Sequence, residues 1–172
     1  LAEKCHIASA TGLPALYIVK DGVYASKIVE ELKGLTGEEV VYLPPKDDVL
    51  LFKTAFEKSR FYERLSAIYK IQRGAKYVVA TFESLLQLFP KKIPTVEIKR
   101  GQTIDPYALI SVLTKMGYRR EEFAEEKATF ALRGDIFEIY PVNGDNIYRV
   151  DFFGDEVETV TEYEKGDKEE KT

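Results

Sequence analysis

A chain of 172 residues, 45% of them hydrophobic, is long enough for one ordinary domain or two small ones and carries the material for a real core. Its net charge of -4 argues against attraction of the whole molecule to polyphosphate, and a single cysteine, Cys5, beside a lone His6 excludes an internal disulfide and a zinc-spaced cluster. No apolar run approaches the roughly 20 residues that span a bilayer, and no signal-peptide pattern is present, so a reducing, cytoplasmic setting is expected.

Ala15 to Val19 is a short apolar run of the kind that fills a buried parallel strand, with Asp21-Gly22 as turn punctuation. Val23, Ile28, Val29 and Leu32 recur at helical spacing, and Gly34 and Gly37 end that helix. Val40 to Leu43 reads as a second strand stopped by Pro44-Pro45. Phe56 to Ile71 reads as a second helix with Phe61, Leu65, Ile68 and Tyr69 along its stripe. Tyr77 to Ala80 is a third buried strand. Thr81 stands at a helix N-cap, with Ser84 to Phe89 continuing the helix to Pro90. The alternation predicts a parallel sheet covered by helices on both faces, an α/β first unit over 1–90.

After Pro90 the texture changes. Lys91 to Pro94 looks like a linker, and Val96 to Ile98 predicts a strand that turns at Gly101. Asp105-Pro106 opens a helix whose buried stripe is Leu109, Ile110, Leu113 and Met116, closed by Gly117. Thr129 to Leu132, Ile136 to Tyr140, Tyr148 to Phe153 and Val157 to Tyr163 predict antiparallel strands, with turns at Asn143-Gly144 and Gly154-Asp155. A small α+β unit over 91–164 is therefore expected. Residues 165–172 contain no apolar side chain and are expected to be a disordered tail. The charged residues, 31% of the chain against very few amides, hint at adaptation to heat, and an opening Leu1 with a Lys/Glu-rich end suggests a piece of a longer polypeptide.

The chemistry-bearing patterns are mostly missing. Nucleotide hydrolysis needs a glycine-rich turn ending in Gly-Lys-Ser/Thr, and the nearest stretch, Ser9 to Pro14, has one glycine, no lysine and a proline in place of an amide donor. Ser9 and Cys5 near His6 lack a strand-turn-helix frame and an orienting third residue. Asp151, Asp155, Glu156 and Glu158 form an acidic cluster that reads better as a solvated hairpin than as a metal loop. Phe56, Phe61, Tyr62 and Tyr69 interleave with Arg60, Arg64, Lys70 and Arg73, a mixture that can serve single strands but at helical spacing reads as a buried face with a wet side. No catalytic residue, cofactor site or metal site is assigned, and the chain is expected not to be an enzyme.

Tyr118 to Tyr140 offers a surface instead. Arg119 and Arg120 follow a helix. With Phe130, Leu132 and Ile136 turned to the core, Arg133 and Phe137 would share the outer face, an arginine and an aromatic being the residue types most frequent at binding hot spots. The alternative is a stacked pair that only decorates the sheet, or a register shifted by a bulge at Gly134.

Several ordered motifs resemble a known family. Glu63-Arg64-Leu65-Ser66-Ala67-Ile68-Tyr69, Gln72-Arg73-Gly74, Gly101-Gln102, Gly117-Tyr118-Arg119, Phe130 to Ile136, Tyr140-Pro141-Val142 and Arg149 to Val157 are similar to the N-terminal region of bacterial transcription-repair coupling factors, itself similar to the first two domains of the excision-repair helicase UvrB. The coupling factors fit better than UvrB, which would also need a phosphate loop and a long aromatic hairpin for which Ala80 to Pro90 leaves no room. The resemblance implies a degenerate RecA-like first domain without a phosphate loop, and a second domain that recruits the repair protein UvrA. It places Arg119 and Arg133 on the recruiting surface, while Arg120 and Phe137 are added from the face argument alone. It further implies that RNA polymerase and DNA are met through other regions of the parent protein, with a DNA-binding fragment of a UvrB-like helicase as the alternative.

Overall fold

The computed structural model describes residues 10–46 and 58–165. The readings placed on Cys5, His6 and Ser9, on the start of the second helix before Lys58 and on the tail beyond Lys165 lie outside those residues. The chain divides into two compact units, Leu1–Ile93 and Pro94–Thr172.

In the first unit, β1 (Ala15–Val19), β2 (Val40–Leu43) and β3 (Tyr77–Thr81) form a parallel sheet in the order β1-β3-β2. The fully buried β3 is the central strand, as its unbroken apolar run requires. β1 is an edge strand, and its Leu16 and Ile18 are exposed, so the expectation of a fully buried first strand is corrected. Helix α1 (Gly22–Thr36) starts where the Asp21 carboxylate accepts from the Tyr24 amide. It runs through Gly34 and stops at Gly37, whose left-handed φ of 65° suits a residue without a Cβ. Ala25, Ile28, Val29 and Leu32 of α1 cover one face of the sheet over Val40, Tyr77 and Val79.

Helix α2 (Lys58–Gln72) covers the other face through Ala67 and Ile68, which pack on Val41, Leu43 and Ala80. Phe61, expected in its buried stripe, is exposed, and Arg64 is buried instead. The Arg64 guanidinium donates to the carbonyls of Pro44 (2.5 Å) and Ser84 (3.3 Å) and lies over the Phe89 ring. It satisfies two carbonyls that the ends of β2 and of the short helix α3 (Phe82–Leu85) would otherwise bury unpaired. Lys70 pairs with Glu39. The interleaved basic and aromatic residues of α2 are thus partly spent on holding the unit together, which weakens their reading as a nucleic-acid track. Thr81 caps α3 as expected, but α3 ends at Leu85 rather than continuing to Phe89.

In the second unit, helix α4 (Pro106–Lys115) is capped by Asp105, which accepts from the Tyr107 amide. Five strands follow: β4 (Arg119–Arg120), β5 (Thr129–Arg133), β6 (Ile136–Tyr140), β7 (Asn146–Phe153) and β8 (Glu156–Glu164), in sequential order across one sheet. β4 runs parallel to β5 and the rest are antiparallel, so the sheet is mixed rather than purely antiparallel. No strand forms over Val96 to Ile98; Ile98 instead packs against the core. Leu109 and Leu113 of α4 cover one face of the sheet over Phe130, Phe137, Val150, Phe152 and Val157.

Candidate protein-docking face

The β5–β6 turn decides which side chains point outward. Arg133 pairs with Ile136 across the two-residue loop Gly134-Asp135, and Gly134 has a φ of 59° while Asp135 is not left-handed. This is the signature of a type II′ hairpin with glycine at its first central position. The chain therefore reverses at Gly134, and Phe137 sits opposite Leu132 on the helix-covered face. Phe137 is 0% exposed and stacks on Phe130 at 5.5 Å with the rings 6° from parallel. The expectation that Phe137 lies outward beside Arg133 is corrected: counting four residues along one strand fails across a turn. Ile136, expected in the core, faces the other way.

The face opposite α4 carries Arg133, Glu138, Arg149, Asp151, Thr161 and Tyr163, since facing residues in the register share a side. Glu138 stands in an apolar strand and is nearly buried; its neighbours explain why. Tyr163 donates its hydroxyl to Glu138 Oε1 at 3.0 Å, and Arg133 Nη2 lies 2.8 Å from Oε2, an ion pair off the line of a well-aligned hydrogen bond. Arg133 Nη1 also donates to the Glu122 carbonyl at 2.7 Å, and the guanidinium lies 4.5 Å from the centre of the Phe123 ring. One side chain thus ties the sheet to the segment 121–127 that crosses it, while its side chain stays 38% exposed. A guanidinium has more donors than these contacts use, so Arg133 is fixed in direction and still able to bind.

The crossing segment is itself anchored. Ala124 is buried against Tyr140 and Ile147, and the Thr129 hydroxyl donates to the Glu126 carbonyl. Ala128 closes the segment at a φ of 60°, an uncommon conformation for a residue with a Cβ, held by hydrogen bonds from its amide to Tyr140 and from Arg119 to its carbonyl.

Arg119 pairs with Glu126 at 2.7 Å and, more loosely, with Glu121. Its backbone is level with Thr129 on the open face, whereas Arg120 is level with Phe130 and leaves from the other side of β4. The structure therefore brings Arg119 and Arg133 to one face, with Arg120 exposed at the sheet edge and unpaired among the described residues. Phe123 and Arg149 belong to this face and were missed by sequence reasoning. Phe123 sits among glutamates in an irregular segment, where no periodicity marks it. Arg149 was open to detection through the strict alternation of β7.

Arg149 donates to Asp151 Oδ1 at 2.9 Å, and the Thr159 hydroxyl donates to Asp151 Oδ2 at 2.5 Å. Burial pushes the Asp151 carboxyl up, but the hydrogen bonds from Thr159 and Arg149 outweigh it and hold the group below its usual range. Among the described residues there is no group of three or more histidine, cysteine, aspartate or glutamate side chains placed to hold a metal ion. Nor is any helix among them long and apolar enough to cross a membrane.

Tyr163 gives a pH prediction. Burial first, then the Glu138 carboxylate, pushes its hydroxyl up to about 12. Between pH 10 and 12 the unfolded chain has lost this proton and the folded chain keeps it, so the stability contributed below pH 10 is lost as pH rises through that window. Tyr163→Phe is expected to flatten this part of the alkaline unfolding profile, measured by urea midpoints; an unchanged slope would remove Tyr163 as its source.

Residues 96–172 match the family described as the UvrB interaction domain. The transcription-repair-coupling factor of Bacillus subtilis is 27% identical over 94% of this chain and 14% of its own length. The UvrABC system protein B of Thermotoga neapolitana is 26% identical over 91% of this chain and 26% of its own length, and that of Caldicellulosiruptor bescii 32% over 62% and 15%. The chain resembles both kinds of protein and spans only a minor part of either.

Proposed function

We propose, from the premise that this chain resembles transcription-repair-coupling factors and carries a UvrB interaction domain, that it recruits UvrA to nucleotide-excision repair as a non-catalytic docking module. The observation that carries the reading is Arg133, held from three sides on the open face of a sheet whose sequence matches that domain. A partner meets a guanidinium whose conformational entropy is already spent, the condition under which a few side chains supply most of the binding energy. Arg119 joins it on that face and Arg120 stands at its edge, with Phe123 in the place first given to Phe137. The first unit, 1–90, serves as a degenerate RecA-like frame and 91–164 as the recruiting domain, in a cytoplasmic protein. RNA polymerase and DNA are reached by other regions of a longer polypeptide.

The charges on the face refine the mode of contact. Arg119, Arg133 and Arg149 are each paired with a carboxylate of the chain itself, so the face has little net charge. Recognition then rests on directed hydrogen bonds more than on long-range steering, and phosphate backbones gain little from it.

Pull-down with purified UvrA tests the reading. Wild-type chain is expected to retain UvrA, and Arg120→Glu, at an unpaired exposed position, is expected to weaken retention several-fold with Tm unchanged. Absence of UvrA binding together with a salt-sensitive shift of labelled DNA would replace this reading with that of a DNA-binding fragment.

A further inference from the structure

Phe153 is 80% exposed, the most exposed aromatic ring on the second unit. It ends β7 just before the turn at Gly154-Asp155, pairs with Glu156, and by alternation points to the same side as Asp151 and Arg149. Single exposed apolar residues are ordinary. This one is distinguished by its mounting. Its neighbour Phe152 is buried in the core, and the Phe152 amide donates to the Asp135 carbonyl, which locks the β7–β8 hairpin to the Gly134-Asp135 turn beside Arg133. On the other strand, Val157 exchanges hydrogen bonds with Gly101 and Gln102, and the Ile104 amide donates to the Asp155 carbonyl. The ring is carried on backbone fixed from both sides.

We infer that Phe153 is a second anchor of the docking face and enters an apolar pocket of the protein partner, beside the acceptors that meet Arg133. This rests on the proposed docking function. Arg133 and Phe153 stand on one face at one end of the sheet, their backbones about 12 Å apart, two strand spacings across and two residues along. Aromatic rings and arginines are both enriched at the centres of protein interfaces. The occupant follows from charge and area. Because Arg119, Arg133 and Arg149 are already compensated, a polyanion gains little beyond Arg120, whereas a pocket with carbonyl or carboxylate oxygens on its rim satisfies both the free guanidinium donors and the ring. A second copy of the chain is a poor fit. The face offers only two exposed rings, Phe123 and Phe153, among polar side chains, far short of the mostly apolar surface of about 800 Å² per side that a stable homodimer buries.

The test measures UvrA affinity of the whole chain by titration, with Phe153→Ala and Phe153→Leu beside wild type. Phe153→Ala is expected to weaken binding at least tenfold and Phe153→Leu less, both with wild-type Tm, since the ring packs on little within the chain. Wild-type binding with no loss in Phe153→Ala overturns this inference and leaves the docking function standing. No wild-type binding overturns both. A wild-type dimer in sedimentation that Phe153→Ala dissolves overturns it in favour of a second copy.

Discussion

Phe137→Ala is expected to unfold the second unit rather than to trim a contact. The ring is 0% exposed and stacks on Phe130 against Leu109 and Leu113 of α4. Deleting a buried phenylalanine to alanine costs about 3–5 kcal/mol, from lost transfer energy and the cavity left behind. A unit of this size has a total stability of only roughly 4–10 kcal/mol. The variant should therefore lose most of its near-ultraviolet circular dichroism cooperativity at moderate temperature, and with it all UvrA binding. Phe137→Leu keeps much of the volume, is expected to cost about 2 kcal/mol or less, and should bind UvrA normally below its Tm. Loss of binding in Phe137→Leu with Tm intact would show that the ring reaches the partner, and the burial described above would be the wrong basis for its role.

The same residue shows where sequence reading reaches its limit. Most strands were legible from composition and spacing, though not the one expected over Val96 to Ile98, and two helix starts were legible from Thr81 and Asp105, because a cap is a local hydrogen bond between neighbours in sequence. Which side of a sheet a residue faces is not local once the chain reverses. Gly134-Asp135 is a two-residue turn signal, and reading it as such would have placed Phe137 opposite Leu132 and in the core. β4 left no trace because two exposed arginines have no alternation to display. Arg64 and Glu138 were illegible for another reason. A charged side chain is expected at the surface, and only tertiary partners make its burial tolerable: the Pro44 and Ser84 carbonyls for one, Arg133 and Tyr163 for the other. The candidate face was therefore half visible. Arg119, Arg120 and Arg133 were named from sequence; Arg149, the carboxylates that pair with Arg119 and Arg133, and the ring under Arg133 were not.

Those carboxylates make Arg133→Glu the second large expected effect, and they change what it measures. At a freely solvated arginine a charge reversal would leave Tm nearly untouched. Here it removes the cation from a nearly buried Glu138 and sets a second carboxylate beside it, with only the Tyr163 hydroxyl left as a partner. Breaking one side of a fully buried pair costs about 3–5 kcal/mol; with Arg133 more than a third exposed, solvent screening reduces this to about 1–3 kcal/mol. In a unit of this size, 1 kcal/mol moves Tm by roughly 4–8 °C, so a fall of about 4–24 °C is expected together with loss of UvrA pull-down. Binding and folding are separated by adding Glu138→Gln, which relieves the like-charge contact without restoring a guanidinium. The double variant is expected to recover much of the lost Tm and none of the binding. Should binding return along with Tm, Arg133 would act only as a brace between the sheet and the segment 121–127, and the contact with UvrA would have to be sought on other side chains of the second unit.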